Sequence, residues 1–256
     1  MKASAELVAE RGPDGRLRLP VQRSQAPLIL RRTADAVYLV SGAAGPLGSD
    51  VLDLRIEVRA GATLRLRTVA AAVALPGRYG QESRLTVTAT VGPGARLEYL
   101  PEPTVVADGA RHRTEIWAAL AEDAALVLRD EILLGRHGER GGACRTRLAV
   151  DRAARPLLRH ELDVSGTDPA SLGPAVLAGH RAAGALLTVD PGVANGSFGA
   201  GEAADLLAAD PWVAVMPLAG PGVLITALAH DTRTLRHRLD DAPGLPVLSG
   251  TGGGIA

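Results

Sequence analysis

Three side chains that could hold a cation or move a proton fall where the pattern of the sequence asks for hydrocarbon. Between Leu126 and Leu134 the chain alternates with a period of two. Leu126, Leu128, Ile132 and Leu134 share one face, and Val127, Arg129, Glu131 and Leu133 share the other. Asp130 lies on the first, apolar face. Asp50 is in phase with Leu52, Leu54, Ile56 and Val58, against Asp53, Arg55, Glu57 and Arg59. His160 shares a face with Leu158, Leu162 and Val164, against Arg159, Glu161 and Asp163. A carboxylate aimed into a core costs several kcal/mol unless it is paired, hydrated or bound to a cation. An inward imidazole is either a hydrogen-bonded core residue or a metal ligand. Internal salt bridges with arginine are the competing explanation for all three positions. Asp130 and Glu131 point to opposite faces of a strand, so they cannot act together on one bond.

The elements that would position these groups are strands. The first 24 residues read as a polar opening segment whose Gly12–Gly15 turn feeds a short strand, Leu17–Val21. Pro27–Leu30 and Ala36–Val40 read as two more strands, and Ser41–Asp50 as a glycine-rich loop. Three similar units follow: VRAGATLRL from Val58, VGPGARLEY from Val91 and LAEDAALVL from Leu120. Each puts Gly or Asp before an Ala, at Ala62, Ala95 and Ala124, and the units recur about 30 residues apart. Such units suggest stacked sheet layers of a solenoid, because one alone could not bury its apolar face. An ordinary β-sandwich is the alternative. Beyond residue 166 the pattern changes: Ser171–Leu187 is apolar and ambiguous, Gly201–Ala209 and Asp231–Leu239 read as helices, and Val213–Met216 and Val223–Leu228 as strands. The expected organisation is one domain over residues 1–256. Regular β layers fill 1–166, a mixed part 167–242, and a flexible tail the remainder.

Composition removes several function classes. The chain has 256 residues, 46% of them hydrophobic, and 28 basic residues balance 28 acidic ones. Nothing in that balance marks a nucleic-acid or membrane-surface binder. Lys2 is the only lysine, which excludes a P-loop and an internal Schiff base. Aromatic residues make up 2%, too few for a stacking platform. A single cysteine, Cys144, excludes an internal disulfide and suits a reducing cytosol. Neither a signal peptide nor an apolar run of about 18 residues is evident, so a soluble cytoplasmic protein is expected. G-x-S-x-G, H-E-x-x-H and C-x-x-C are all absent. Arg140, Arg145 and Arg147 near Cys144 could lower its pKa, yet no motif places a base beside it. His230 and His237, seven apart, fall on one helical face without a third ligand and read as solvated surface. Residue chemistry alone does not favour an enzyme.

Five motifs in series resemble a known family, the urease accessory proteins called UreD or UreH. YLVSGAAGPLGSD (38–50) is similar to the family's Y-L-x-x-x-G-G-x-x-G-G-D, and VLDLRIEVRAGATLRLRT (51–68) to its next strand and G-A turn. LEYLPEPTV (97–105) resembles L-E-W-L-P-Q-x-x-I. DEILLGR with Gly138-Glu139 resembles W-D-x-x-x-L-G-R-x-x-x-G-E, with a spacing two residues shorter. RPLLRHELDV (155–164) resembles P-L-L-x-E-R-L-x-L. The family's segment after the G-A strand reads here as TVAAAVALPG (68–77), without its lysine or its tyrosine-arginine pair.

The resemblance implies a mainly β, solenoid-like fold with a few helices toward the C-terminus. It implies a maturation factor without catalysis of its own. Such a factor binds a UreF-type accessory protein, a UreG-type GTPase and urease apoprotein, and passes nickel transiently through a water-filled interior. On that reading Asp50, Asp130, His160 and Glu161 are candidate nickel-path residues. His160 stands where the family has Glu, and a β-bulge would shift Glu161 into that place. Carboxylate and imidazole suit Ni²⁺, and sparse ligands let it move on. Two other readings are a β-solenoid carbohydrate-active enzyme using inward Asp and His, and a β-rich binding module without a metal.

Overall fold

A computed structural model describes residues 1–192 and 210–241. The first strands are β1 (Lys2–Arg11), β2 (Leu17–Arg23), β3 (Leu28–Arg32) and β4 (Val37–Ser41). The coils follow with β5 (Val51–Val58), β6 (Thr63–Thr68), β7 (Ala72–Ala74), β8 (Ser83–Val91), β9 (Arg96–Leu100) and β10 (Thr104–Val106). Then come β11 (Arg111–Leu120), β12 (Ala125–Leu134), β13 (Ala143–Arg152) and β14 (Arg155–Ser165). A short helix α1 (Pro169–Leu172) precedes β15 (Ala182–Val189), β16 (Val213–Pro217), β17 (Gly222–Ala229) and helix α2 (Thr232–Asp240).

Two sheets face each other across one core. The first runs β14-β13-β11-β8-β5-β1-β2, and the second β16-β17-β15-β12-β9-β6-β4-β3, with β10 and β7 on a side branch of β12. Successive coils place β5, β8, β11 and β13 in parallel in the first sheet, and β6, β9 and β12 in parallel in the second. The fold is therefore mainly β and solenoid-like, as expected. The repeat comes from the turns. Ala62, Ala95 and Ala124 are each at most 2% exposed, and the amides of Arg96 and Ala125 donate to the carbonyls of Ala62 and Ala95 at 2.9 Å. Gly61 and Gly94 take φ of 65° and 60° in those turns, a region costly to any residue with a Cβ. One coil later Ala153 and Ala154 both adopt positive φ. This reverses the chain into the antiparallel β13–β14 hairpin and ends the solenoid.

The strands read from the sequence are present, with one correction at the start. The polar opening segment forms β1, which pairs in parallel with β5 and turns Ala3, Ala5, Leu7 and Ala9 inward. Three of those four inward residues are alanines, too small to give a strong periodic signal. Ser171–Leu187 resolves into α1, a turn and β15. The expected helix at Gly201–Ala209 and the expected tail lie outside the described residues.

Helix α2, capped by the Asp231 carboxylate on the Thr234 amide, covers the outer face of the second sheet through Leu235 and Leu239. That cover buries Arg129 and Glu131, which alternation alone places toward solvent. Arg236 answers the buried charge by donating to Glu131 at 2.6 Å and to Glu102 at 3.0 Å, and Arg129 donates to Asp240 at 3.2 Å. Removing one member of such a network strands a buried charge, a loss of about 3–5 kcal/mol.

Candidate functional site

The inward side chains of the first sheet stack in rows fixed by register. One row reads Leu54, Val87, Ile116, Leu148 and His160, and a neighbouring row Ile56, Ala89, Ala118, Val150 and Leu158. Toward the strand starts the rows turn polar. Leu52 and Leu85 are followed by Thr114 and Thr146, and Ser83 by His112 and Cys144. Polar groups therefore gather at one end of an otherwise aliphatic interior.

Asp130 enters that end from the second sheet through a gap with a simple cause. Strand β12 pairs with β9 over Ala125–Leu128 and with β10 from Ile132 onward, leaving Arg129–Glu131 unpaired on that edge. The segment opposite is Pro101-Glu102-Pro103, whose two prolines have no amide hydrogen to donate and so separate β9 from β10. In this way the L-P-E-P sequence opens the sheet beside Asp130.

Two cavities meet at this residue. One, of about 360 Å³, lies between β13–β14 and β15–β17 and is lined by Asp130, Thr146, His160, Ala185 and Trp212 among others. The other, of about 260 Å³, lies beneath β4, β6 and β9 and includes Asp130, Tyr99, His112, Thr114 and Glu131. Asp130 is the one residue common to both linings. The first cavity is rimmed by the exposed residues Pro174, Val176 and Pro211, and the second by Ser41, Val69 and Ala70. Burial pushes the Asp130 carboxyl up to about 6, opposed by the Thr146 hydroxyl and reinforced by the negative charge of Glu131. Among the described residues no arginine contributes to that balance.

The four residues singled out from the sequence separate. Asp130 and His160 share the first cavity, where partial burial holds the imidazole below its ordinary pKa. Asp50 is 3% exposed and fully engaged, accepting from the Met1 ammonium at 2.7 Å and from the Leu47 amide at 2.9 Å. The arginine salt bridges considered for it are thus replaced by an ammonium. Glu161 stays on the outer face, exposed and 3.7 Å from Arg145. The only register shift between β13 and β14 lies at Val150/Asp151, so no bulge turns Glu161 inward, and it is removed from the interior set.

One further reading changes and another holds. Cys144 is buried, and burial together with Asp130 pushes its thiol pKa up, so the nearby arginines do not activate it. His230 precedes α2 rather than lying on it and stacks 4.4 Å from His180, and both it and His237 are exposed, as expected. Among the described residues, no group of three or more His, Cys, Asp or Glu forms a metal cluster.

Sequence reading missed His112, Thr114 and Thr146. His112 was within reach, since His112, Thr114, Ile116, Ala118 and Leu120 alternate with Arg111, Arg113, Glu115 and Trp117 as clearly as the residues around Asp130 do.

Similarity to other proteins agrees with this architecture. The family profile described as UreD urease accessory protein matches residues 1–246. A urease accessory protein UreD of Parafrankia sp. is 44% identical, with 98% of this chain and 90% of the relative covered. The UreD of Frankia alni is 46% identical, with 93% and 91% covered. The UreD of Streptomyces coelicolor is 40% identical, with 94% and 95% covered. With the motif series, the coil architecture and this near full-length similarity together, the chain belongs to the UreD family of urease accessory proteins.

Proposed function

We propose that the chain is a urease maturation scaffold that carries nickel toward the urease active site through its interior, without turnover of its own. The observation that carries this reading is Asp130, a carboxylate between two surface-reaching cavities with no ion-pair partner among the described residues. A late first-row divalent ion accepts carboxylate oxygen and imidazole nitrogen alike. Asp130 and His160 supply one of each along the first cavity. Two scattered donors bind weakly, and weak binding lets an ion leave again. Partners of the UreF, UreG and urease-apoprotein type would cover the two cavity rims and deliver or receive the ion in the cytoplasm. The relatives' designation as accessory proteins fits a scaffold rather than a catalyst. A glycosidase would present its acids in an open groove lined with aromatics, a different arrangement from this interior.

The test is co-expression of the urease structural genes and the remaining accessory factors, with and without this chain, followed by nickel analysis of purified urease. The proposal expects nickel-poor urease without the chain. Equal loading in both preparations would overturn it.

A further inference from the structure

The second cavity holds an imidazole whose hydrogen bonds leave one nitrogen ready for a metal. His112 on β11 is 2% exposed and lines that cavity together with Asp130 and Thr114. Its Nδ1 lies 2.9 Å from the Ser83 hydroxyl, and its Nε2 lies 3.2 Å from the Thr114 hydroxyl. The Ser83 hydroxyl donates its hydrogen to the Arg111 carbonyl at 3.4 Å. With its hydrogen on that carbonyl, Ser83 accepts from His112 and the ring proton is assigned to Nδ1; Ser83 donating to Nδ1 instead would place it on Nε2. Nε2 therefore carries the lone pair and takes a hydrogen bond from Thr114.

Thr114 pairs in register with Thr146, the residue beside Asp130, so the lone pair is directed toward the polar end of the interior. Burial also holds the ring neutral, with its pKa pushed down to about 4. A tautomer fixed from behind, with a lone pair held only by a rotatable hydroxyl, is how proteins present histidine to a divalent ion.

Resting on the nickel-carrying reading above, we infer that His112 Nε2 is the nickel ligand on the far side of Asp130, matching His160 on the near side. The passage would then run imidazole, carboxylate, imidazole, with the Asp130 carboxylate at the joint between the cavities. The Thr114 hydroxyl turns away as the ion arrives. In the Nδ1–H tautomer, coordination at Nε2 releases no proton. The ligand class is a late first-row divalent cation, because a neutral imidazole adds little for Mg²⁺ or Ca²⁺.

The experiment uses the full chain labelled with ¹³C at histidine Cε1, titrated with NiCl₂, and is paired with nickel loading of co-expressed urease. The ring signal of His112, assigned by comparison with His112→Asn, is expected to broaden at substoichiometric nickel. In the loading assay His112→Asn, whose amide can still meet both hydroxyls, is expected to lower delivered nickel roughly tenfold, the value of one modest ligand. Loading that falls with Asp130→Asn, but stays within twofold of wild type with His112→Asn and an unbroadened His112 signal, would overturn this inference and leave the proposed function standing. Loading unchanged by Asp130→Asn would instead overturn the path itself. Should His112→Asn fail to fold, His112→Gln serves for both the assignment and the loading assay, with the same two outcomes.

Discussion

Asp50 and Asp130 are two buried carboxylates of one solenoid, and their surroundings differ in every respect that matters for a mobile cation. Asp50 sits at the start of β5, where the chain's own ammonium neutralises it and an amide fixes its second oxygen. Asp130 sits mid-strand at a gap made by two prolines, with cavity space on both sides. A paired carboxylate contributes to the structure and has no need of a ligand. An unpaired one costs the structure stability and gains by binding something. The comparison teaches that inward direction alone does not distinguish two carboxylates, and that what each one faces does.

The largest expected effect separates the two aspartates by function. Asp130→Asn should lower nickel delivered to co-expressed urease by about tenfold or more, one lost ligand being worth roughly 1.4 kcal/mol, while the accessory complex still co-purifies. Asp50→Asn should leave nickel per folded molecule within twofold of wild type and lower the melting temperature instead. A complex that no longer assembles with Asp130→Asn would make the two positions alike and break the comparison.

A second difference is one of sign. The Asp130 carboxyl rises from 3.8 in the unfolded chain to about 6 in the folded protein. The folded state then holds the proton more tightly, and stability from this group falls as pH rises through the window from about 4 to 6. Asp130→Asn removes that penalty. It should therefore stabilise the chain by on the order of 2 kcal/mol at pH 7.5 and change nothing near pH 2.5, where the carboxyl is protonated in both states. Asp50→Asn should destabilise at pH 7.5. Chemical denaturation at the two pH values distinguishes them.

A smaller effect sharpens the description of the Asp50 corner. Ser49 occupies φ of 74°, and the adjacent Gly48 packs so tightly that an added Cβ would lie 2.4 Å from the Gly77 backbone. Ser49→Gly relieves the left-handed strain and should stabilise by about 1 kcal/mol, with nickel delivery untouched. Gly48→Ala should do the reverse.

Much of this interior was legible in the alternation of the chain, because a strand's period of two identifies inward residues whatever the fold around them. Asp130, His160 and the turn alanines at 62, 95 and 124 were found in that way. What alternation cannot supply is what lies opposite. The Met1 ammonium beside Asp50 comes from 49 residues away. The burial of Glu131 depends on α2, 105 residues later. The outward position of Glu161, by contrast, follows from alternation, and no register shift beside it overturns that. The gap beside Asp130 is intermediate: the prolines that make it are plain in the sequence, and their consequence for the neighbouring strand is not.

The claim that Asp130 is an unpaired carboxylate open to a cation can be measured at the carboxyl itself. Following its ¹³C side-chain resonance against pH, without and with NiCl₂, is predicted to give a midpoint near 6 in the free chain and a signal perturbed by nickel. A midpoint near 4 and a resonance unmoved by nickel would contradict the account.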